Sequence, residues 1–110
     1  MRRLGLALVT AVIGSWPLTA FAHPEVDRGV ASYQDGDLEE ALQAFSRAEA
    51  ASDLVRADLV ALYLHRALVH FALGSAQSME ADLRRLASLE PNYALGDALP
   101  PQVHLAFARV

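Results

Sequence analysis

Apolar residues recur at helical spacing along most of this chain, and no segment sustains the two-residue alternation of a surface strand. The clearest apolar stripe follows Asp37, a residue type that caps helices well. The stripe consists of Leu38, Ala41, Leu42, Phe45 and Ala48. Because helical stripes are buried by packing helix on helix, the pattern predicts an all-α fold.

The same spacing predicts four further helical segments. One precedes the stripe and covers Glu25–Tyr33. Another, over Ser52–Leu73, is apolar nearly all round, which is typical of a central helix contacted on two sides. Charged residues and histidines interrupt it too often for a membrane span. Ser75 begins the next segment, which Pro91 ends, and Pro101 begins a short last one.

The N-terminus has the order of a secretory signal peptide. A basic Arg2-Arg3 head precedes an uncharged apolar stretch over 4–18, which is shorter than the roughly 20 residues that span a bilayer. Ala20 and Ala22 then place small residues at the two positions that signal peptidase recognises. The pattern predicts a general secretory signal peptide rather than a membrane anchor.

We therefore expect cleavage between Ala22 and His23, which divides the chain into a signal peptide over 1–22 and a domain over 23–110. The predicted location is periplasmic or secreted, with no stable membrane anchor after cleavage. The sequence has no cysteine, so disulfides and thiolate chemistry are excluded even in an oxidising compartment. Packing alone has to stabilise the mature domain.

The charge of the chain bears on its partners. All nine basic residues are arginine, there is no lysine, and the formal net charge is -4 at pH 7. Nucleic-acid binding depends on clustered basic residues that displace counterions, so this composition argues against it. No glycine-rich phosphate loop or nucleophile elbow is present either. We predict a protein that is not an enzyme and that uses no cofactor and no metal.

The two halves of the domain share a pattern. Gly74 lies 38 residues after Gly36, and each glycine separates two helical segments. Apolar residues follow each glycine at offsets of 5, 9 and 12. They are Ala41, Phe45 and Ala48 in the first half and Met79, Leu83 and Leu86 in the second. Matched helical hairpins indicate a repeat architecture.

These positions resemble the tetratricopeptide repeat (TPR), a family of 34-residue helical hairpins. The first hairpin matches the family at Gly29, Gly36, Ala41, Phe45 and Ala48. The second matches at Ala67, Gly74 and Pro91, with bulkier residues at Met79, Leu83 and Leu86. The longer spacing implies an insertion of about four residues around 51–58.

The resemblance implies two TPR-like hairpins and a short C-terminal capping helix. The tail, with Leu89-Glu90-Pro91 and Leu99-Pro100-Pro101, is similar to the end of exported bacterial repeat modules, in which further domains often follow. In such folds the first helix of each hairpin lines a concave groove for a protein or peptide partner. The residues expected there are Val26, Val30, Tyr33, Leu64, Leu68 and Phe71. The lack of lysine argues against the carboxylate clamp of some family members.

The resemblance thus predicts a non-catalytic scaffold or adaptor in the bacterial cell envelope. Three alternatives stay open. The C-terminal helix over 101–109 could fill the groove, and the hairpins could instead associate as a homodimer. The third is copper binding by His23, whose amine and ring nitrogen would chelate together with a second histidine from elsewhere in the chain.

Overall fold

The fold is all-α, as predicted, in a computed structural model that describes residues 23–110. The predicted signal peptide, 1–22, lies outside the described residues. Five helices and no strands occur within 23–110. They are α1 (Pro24–Gln34), α2 (Leu38–Ala50), α3 (Arg56–Ala72), α4 (Ala76–Leu89) and α5 (Pro101–Arg109). In this part of the chain no helix is both long and apolar enough to cross a bilayer.

The helices pair as two hairpins followed by a single helix. The most extensive contacts join α1 to α2 and α3 to α4, while α3 also packs against both helices of the first hairpin. This position explains why α3 is apolar nearly all round. We had predicted it to be a central helix contacted on two sides. The last helix, α5, packs against α4.

The two hairpin turns have the same hydrogen bonds. Gly36 and Gly74 both have positive φ, 82° and 78°, which glycine adopts without a side-chain penalty. The residue after each glycine donates its N–H five residues back, from Asp37 to the Ser32 carbonyl and from Ser75 to the His70 carbonyl, both at 2.8 Å. The pattern is that of a Schellman cap, and it closes each first helix where the sequence predicted.

The start of the second hairpin differs from the prediction. The sequence indicated a helix from about Ser52, capped by Ser52 or Asp53, but α3 begins at Arg56. One oxygen of Asp58 accepts the N–H of Val55 at 3.2 Å, which fixes the first turn of α3 there. The capping interaction therefore comes from a residue inside the helix.

Two apolar clusters form the core. The first joins α1, α2 and α3 and contains Val26, Ala41, Phe45, Ala48, Leu62 and Val69. The second joins α3, α4 and α5 and contains Ala67, Leu68, Met79, Leu83, Val103 and Ala106. Helix α3 contributes to both clusters, and the half-buried Tyr33 packs against both.

Candidate protein-interaction site

An apolar cleft lies between the second hairpin and α5. Its volume is about 350 Å³. The lining comes from the end of α3, the first turns of α4 and one side of α5. The lining residues are Phe71, Gly74, Ala76, Met79, Glu80, Gln102, Leu105 and Arg109. We refer to these residues as the α4–α5 cleft.

The side-chain pattern of α5 explains why the cleft is open. Val103 and Ala106 are fully or almost fully buried and belong to the second core cluster. Successive residues of a helix are separated by about 100° around its axis, so Leu105 points away from the buried side. Its side chain is 62% exposed, the largest value among the large apolar residues described.

One edge of the cleft is charged. Arg109, near the end of α5, donates from Nη2 to Oε2 of Glu80 in α4 at 3.0 Å. The arginine is exposed, so this ion pair adds little to stability. Its effect is to place a cation and an anion beside an apolar floor, an arrangement common at the rims of protein interfaces.

The six residues of the predicted groove do not form one exposed surface in the structure. Val26 and Leu68 are buried in the first and second clusters, respectively. Val30 is half-buried against the first cluster, Tyr33 is half-buried against both clusters, and Leu64 is half-buried. Phe71 is half-buried, packs against the second cluster and lines the α4–α5 cleft.

The C-terminal helix accounts for part of this burial. Leu68 shares the second cluster with Val103 and Ala106 of α5, so α5 covers the C-terminal half of the predicted groove. Phe71 reaches the edge of the covered region. The surface that remains open is the cleft beside α5, with Leu105 on it.

A buried ion cluster joins α2, α3 and α4. Arg66 in α3 donates from Nε and Nη2 to the two carboxylate oxygens of Asp82 in α4, both at 2.8 Å. Its Nη1 donates to Glu49 in α2 at 2.8 Å. Asp82 is only 1% exposed and accepts a further hydrogen bond from Arg85 at 2.8 Å. The bonds to Asp82 join the two helices of the second hairpin, and the bond to Glu49 joins that hairpin to the first.

The protonation states in this cluster follow from its contacts. Burial opposes the charge of Arg66, but the hydrogen bonds that it donates to Asp82 and Glu49 outweigh this effect, so the pKa of the guanidinium is raised. The same hydrogen bond from Arg66 lowers the pKa of Glu49. Burial lowers the pKa of His70, against the opposing effect of Asp82. The cluster therefore holds a neutral histidine beside paired charges at neutral pH.

A polar cleft of about 310 Å³ opens over this cluster. Its lining residues are Leu42, Ser46, Arg66, His70, Ser78, Ala81, Asp82 and Arg85. Both arginines already donate to Asp82, so their charges are largely compensated inside the protein. The cluster is consistent with a structural role in joining the hairpins.

The histidines have contacts of their own. His23 accepts the N–H of Glu25 at Nδ1, 3.1 Å away, and its Nε2 lies 3.2 Å from Asp53. The hydrogen bond caps α1. His65 contacts the Ala61 carbonyl, and its ring meets that of Tyr33 edge to face. Across residues 23–110, no three histidine or acidic side chains come together in a way that could hold a metal ion.

Two acids at structurally important positions were missed by the sequence analysis. Asp58 counted only as an interruption of an apolar helix, and Asp82 received no role. Asp82 follows Met79 by three residues and precedes Leu83, so it lies on the buried stripe of α4. A carboxylate within an apolar stripe is the signal that could have identified it, together with Arg66 in the similarly apolar α3.

Comparison with known proteins identifies no relative. No family model matches the chain, and neither a curated protein nor a solved structure shows significant similarity to it. The functional proposal therefore depends on the residues and their geometry.

Proposed function

We propose that this protein is an exported, TPR-like interaction module of the bacterial cell envelope that binds an amphipathic helix of a partner protein in the α4–α5 cleft. It catalyses no reaction. The observation that carries the proposal is the exposure of Leu105 beside the apolar floor of Phe71 and Met79. An apolar groove between helices is suited to an amphipathic helix that inserts side chains at positions three and four apart.

The TPR-like part of the proposal is supported by two features of the hairpins. Gly29 in α1 faces the ring of Phe45 in α2, so the small and aromatic residues that matched the family pack directly against each other. The turn at Gly36 is repeated at Gly74 with the same hydrogen bonds. Export is supported by the predicted signal peptide over 1–22.

The charges at the cleft indicate the chemistry of the partner. Arg109 and Glu80 lie together at one edge, so a helix that carries both an acid and a base beside its apolar side would match it. The lack of lysine makes recognition of a terminal carboxylate less favourable. We therefore expect an internal helical segment of the partner rather than its C-terminus.

The experiment places a photo-crosslinking amino acid at position 105 and, as a matched control, at position 55. Val55 is 56% exposed and lies at the start of α3, outside the α4–α5 cleft. We expect a crosslinked partner protein from the envelope fraction at position 105 only. The crosslinked peptide then identifies the bound segment.

A synthetic copy of that segment is titrated by fluorescence anisotropy. Leu105→Asp should weaken its binding at least about tenfold, because it places a charge against the apolar floor. Val55→Asp should leave the affinity unchanged. Equal binding to both variants would contradict the proposal, and a crosslink only to a second copy of this chain would establish self-association instead.

A further inference from the structure

We infer that signal peptide cleavage creates a salt bridge, in which the α-amino group released at His23 pairs with the buried carboxylate of Asp58. The inference depends on the cleavage site predicted between Ala22 and His23, and it is independent of what the α4–α5 cleft binds. It assigns Asp58 as the receptor for the new N-terminus.

The geometry already contains the contact. The backbone nitrogen of His23 donates to Oδ1 of Asp58 at 3.1 Å, although the two residues are 35 positions apart. The second carboxylate oxygen accepts the N–H of Val55 at 3.2 Å. One nitrogen at the predicted cleavage site is therefore held against one specific acid at the start of α3.

The charge balance favours an amine over an amide at this position. Asp58 is only 7% exposed, and no arginine or histidine side chain from residues 23–110 forms an ion pair with it. An amide N–H offers a dipole to this carboxylate, whereas an α-ammonium group offers a full positive charge. A buried charge is stable only when it is paired and hydrogen-bonded, so the free amine is the better partner.

The covalent step is a hydrolysis. The C–N bond between Ala22 and His23 breaks, the hydroxyl of water goes to the Ala22 carbonyl carbon, and its proton goes to the His23 nitrogen. At neutral pH the released amine takes up a second proton from solvent. The product carries a charge at His23 that the precursor lacks.

Other charged groups surround the site without replacing this pair. The His23 ring lies beside Asp53, which is largely exposed. Glu25, on the first turn of α1, pairs with Arg47 of α2 at 3.2 Å. Asp58 is thus the buried acid that directly faces the backbone nitrogen of His23.

The composition of the chain allows the α-amino group to be labelled selectively. The chain has no lysine, so after cleavage the α-amino group is the sole primary amine of the protein. The full chain is expressed with its leader in a secreting bacterial host, and the intact mass of the exported product gives its N-terminus. Reductive methylation with ¹³C-formaldehyde then labels that amine alone, and NMR follows its titration.

We expect the product to begin at His23 and the pKa of its amine to exceed the ordinary range of about 7.7–8.0 by about one pH unit or more. Asp58→Asn should return the pKa to that range. Asp53→Asn, which changes an exposed acid beside the same histidine, should leave the raised pKa in place.

A second variant keeps the test informative if Asp58→Asn fails to fold. Inserting Gly-Ser between Ala22 and His23 preserves the cleavage site but moves the amine two residues away from Asp58. Its pKa should be ordinary, and its thermal midpoint should lack the loss above about pH 8 that we expect of the normal product. An N-terminus other than His23, or equal amine pKa values with and without the insertion, would overturn the inference.

Discussion

A Cβ atom on Gly29 would lie 2.6 Å from Cδ1 of Phe45, closer than real Cβ atoms approach non-bonded atoms. Phe45 is fully buried, so its ring has little room to retreat. The first hairpin is therefore built on contact between the backbone of α1 and an aromatic ring of α2. Glycine is required at this position for close approach rather than for backbone flexibility.

Gly29→Ala should consequently destabilise the protein. In an exposed helix this change would gain up to about 1 kcal/mol from helix propensity, but the clash with Phe45 should reverse the sign. Urea denaturation measures the difference. Phe45→Leu combined with Gly29→Ala should recover part of the loss, and a stabilised single variant would show that the two residues are not in contact.

Removal of the ring itself should cost more. Phe45→Ala opens a cavity in the first cluster and should lower the free energy of unfolding by ~3–5 kcal/mol, enough to unfold a marginal domain. Circular dichroism melts report the change. Leu105→Ala is the control, because that side chain is mostly exposed and its truncation should have little effect.

The turn at Gly36 makes a separate prediction. Its φ of 82° disfavours any residue with a Cβ atom, although no atom lies within 4 Å of the site. Gly36→Val should therefore destabilise by about 1–3 kcal/mol through backbone strain alone. Gly36→Asn should cost less, and a thermal melt of the valine variant that matches the parent would refute the left-handed turn.

Removal of one member of the buried pair of Arg66 and Asp82 should destabilise the protein far more than replacement of both. Asp82→Asn removes the buried acid that pairs with Arg66 and leaves it only the more exposed Glu49, which should cost about 3–5 kcal/mol. Replacement of both residues, Arg66→Met with Asp82→Leu, should restore most of that stability. Arg85→Ala removes a half-exposed partner of the same acid and should cost less than about 1 kcal/mol in the same denaturation series.

The lowered pKa of His70 predicts a loss of stability in mild acid. Its cause is burial, so the unfolded chain binds a proton more readily than the folded one. The contribution is complete above the unfolded pKa of about 6.5 and is lost as the pH falls through the lower folded pKa. His70→Gln should flatten the pH dependence of the thermal midpoint below about pH 6.5. An unchanged slope there would assign that dependence to another group.

Features of the fold that depend on neighbours in sequence were predictable, whereas those that depend on distant residues were not. Asp37 accepts the N–H of Glu40 as predicted, and the helices end near Gly36 and Gly74, because caps and turns depend on neighbours in sequence. The start of α3 was predicted four residues too early. It depends on Asp58, which accepts the N–H of Val55 at one carboxylate oxygen. Its other oxygen accepts the backbone N–H of His23, which lies 35 residues earlier in the sequence.

The candidate site was harder to predict for a similar reason. Helical spacing placed Leu68 and Phe71 on one side of α3, which was sufficient to propose a groove. It could not show that Val103 and Ala106 of α5 would cover Leu68, because that contact depends on the path of the connecting loop. The exposed Leu105 follows from the same docking, and the sequence gives no separate signal for it.

Because Tyr33 packs against both clusters, it couples the unfolding of one hairpin to that of the other. Helix α3 also supplies Leu62 and Val69 to one cluster and Ala67 and Leu68 to the other. Neither hairpin can open without exposing apolar surface of its neighbour, so unfolding should proceed as one cooperative event. Slow amide protons in both hairpins should then exchange with a single common free energy, and excision of either hairpin should leave an unfolded fragment.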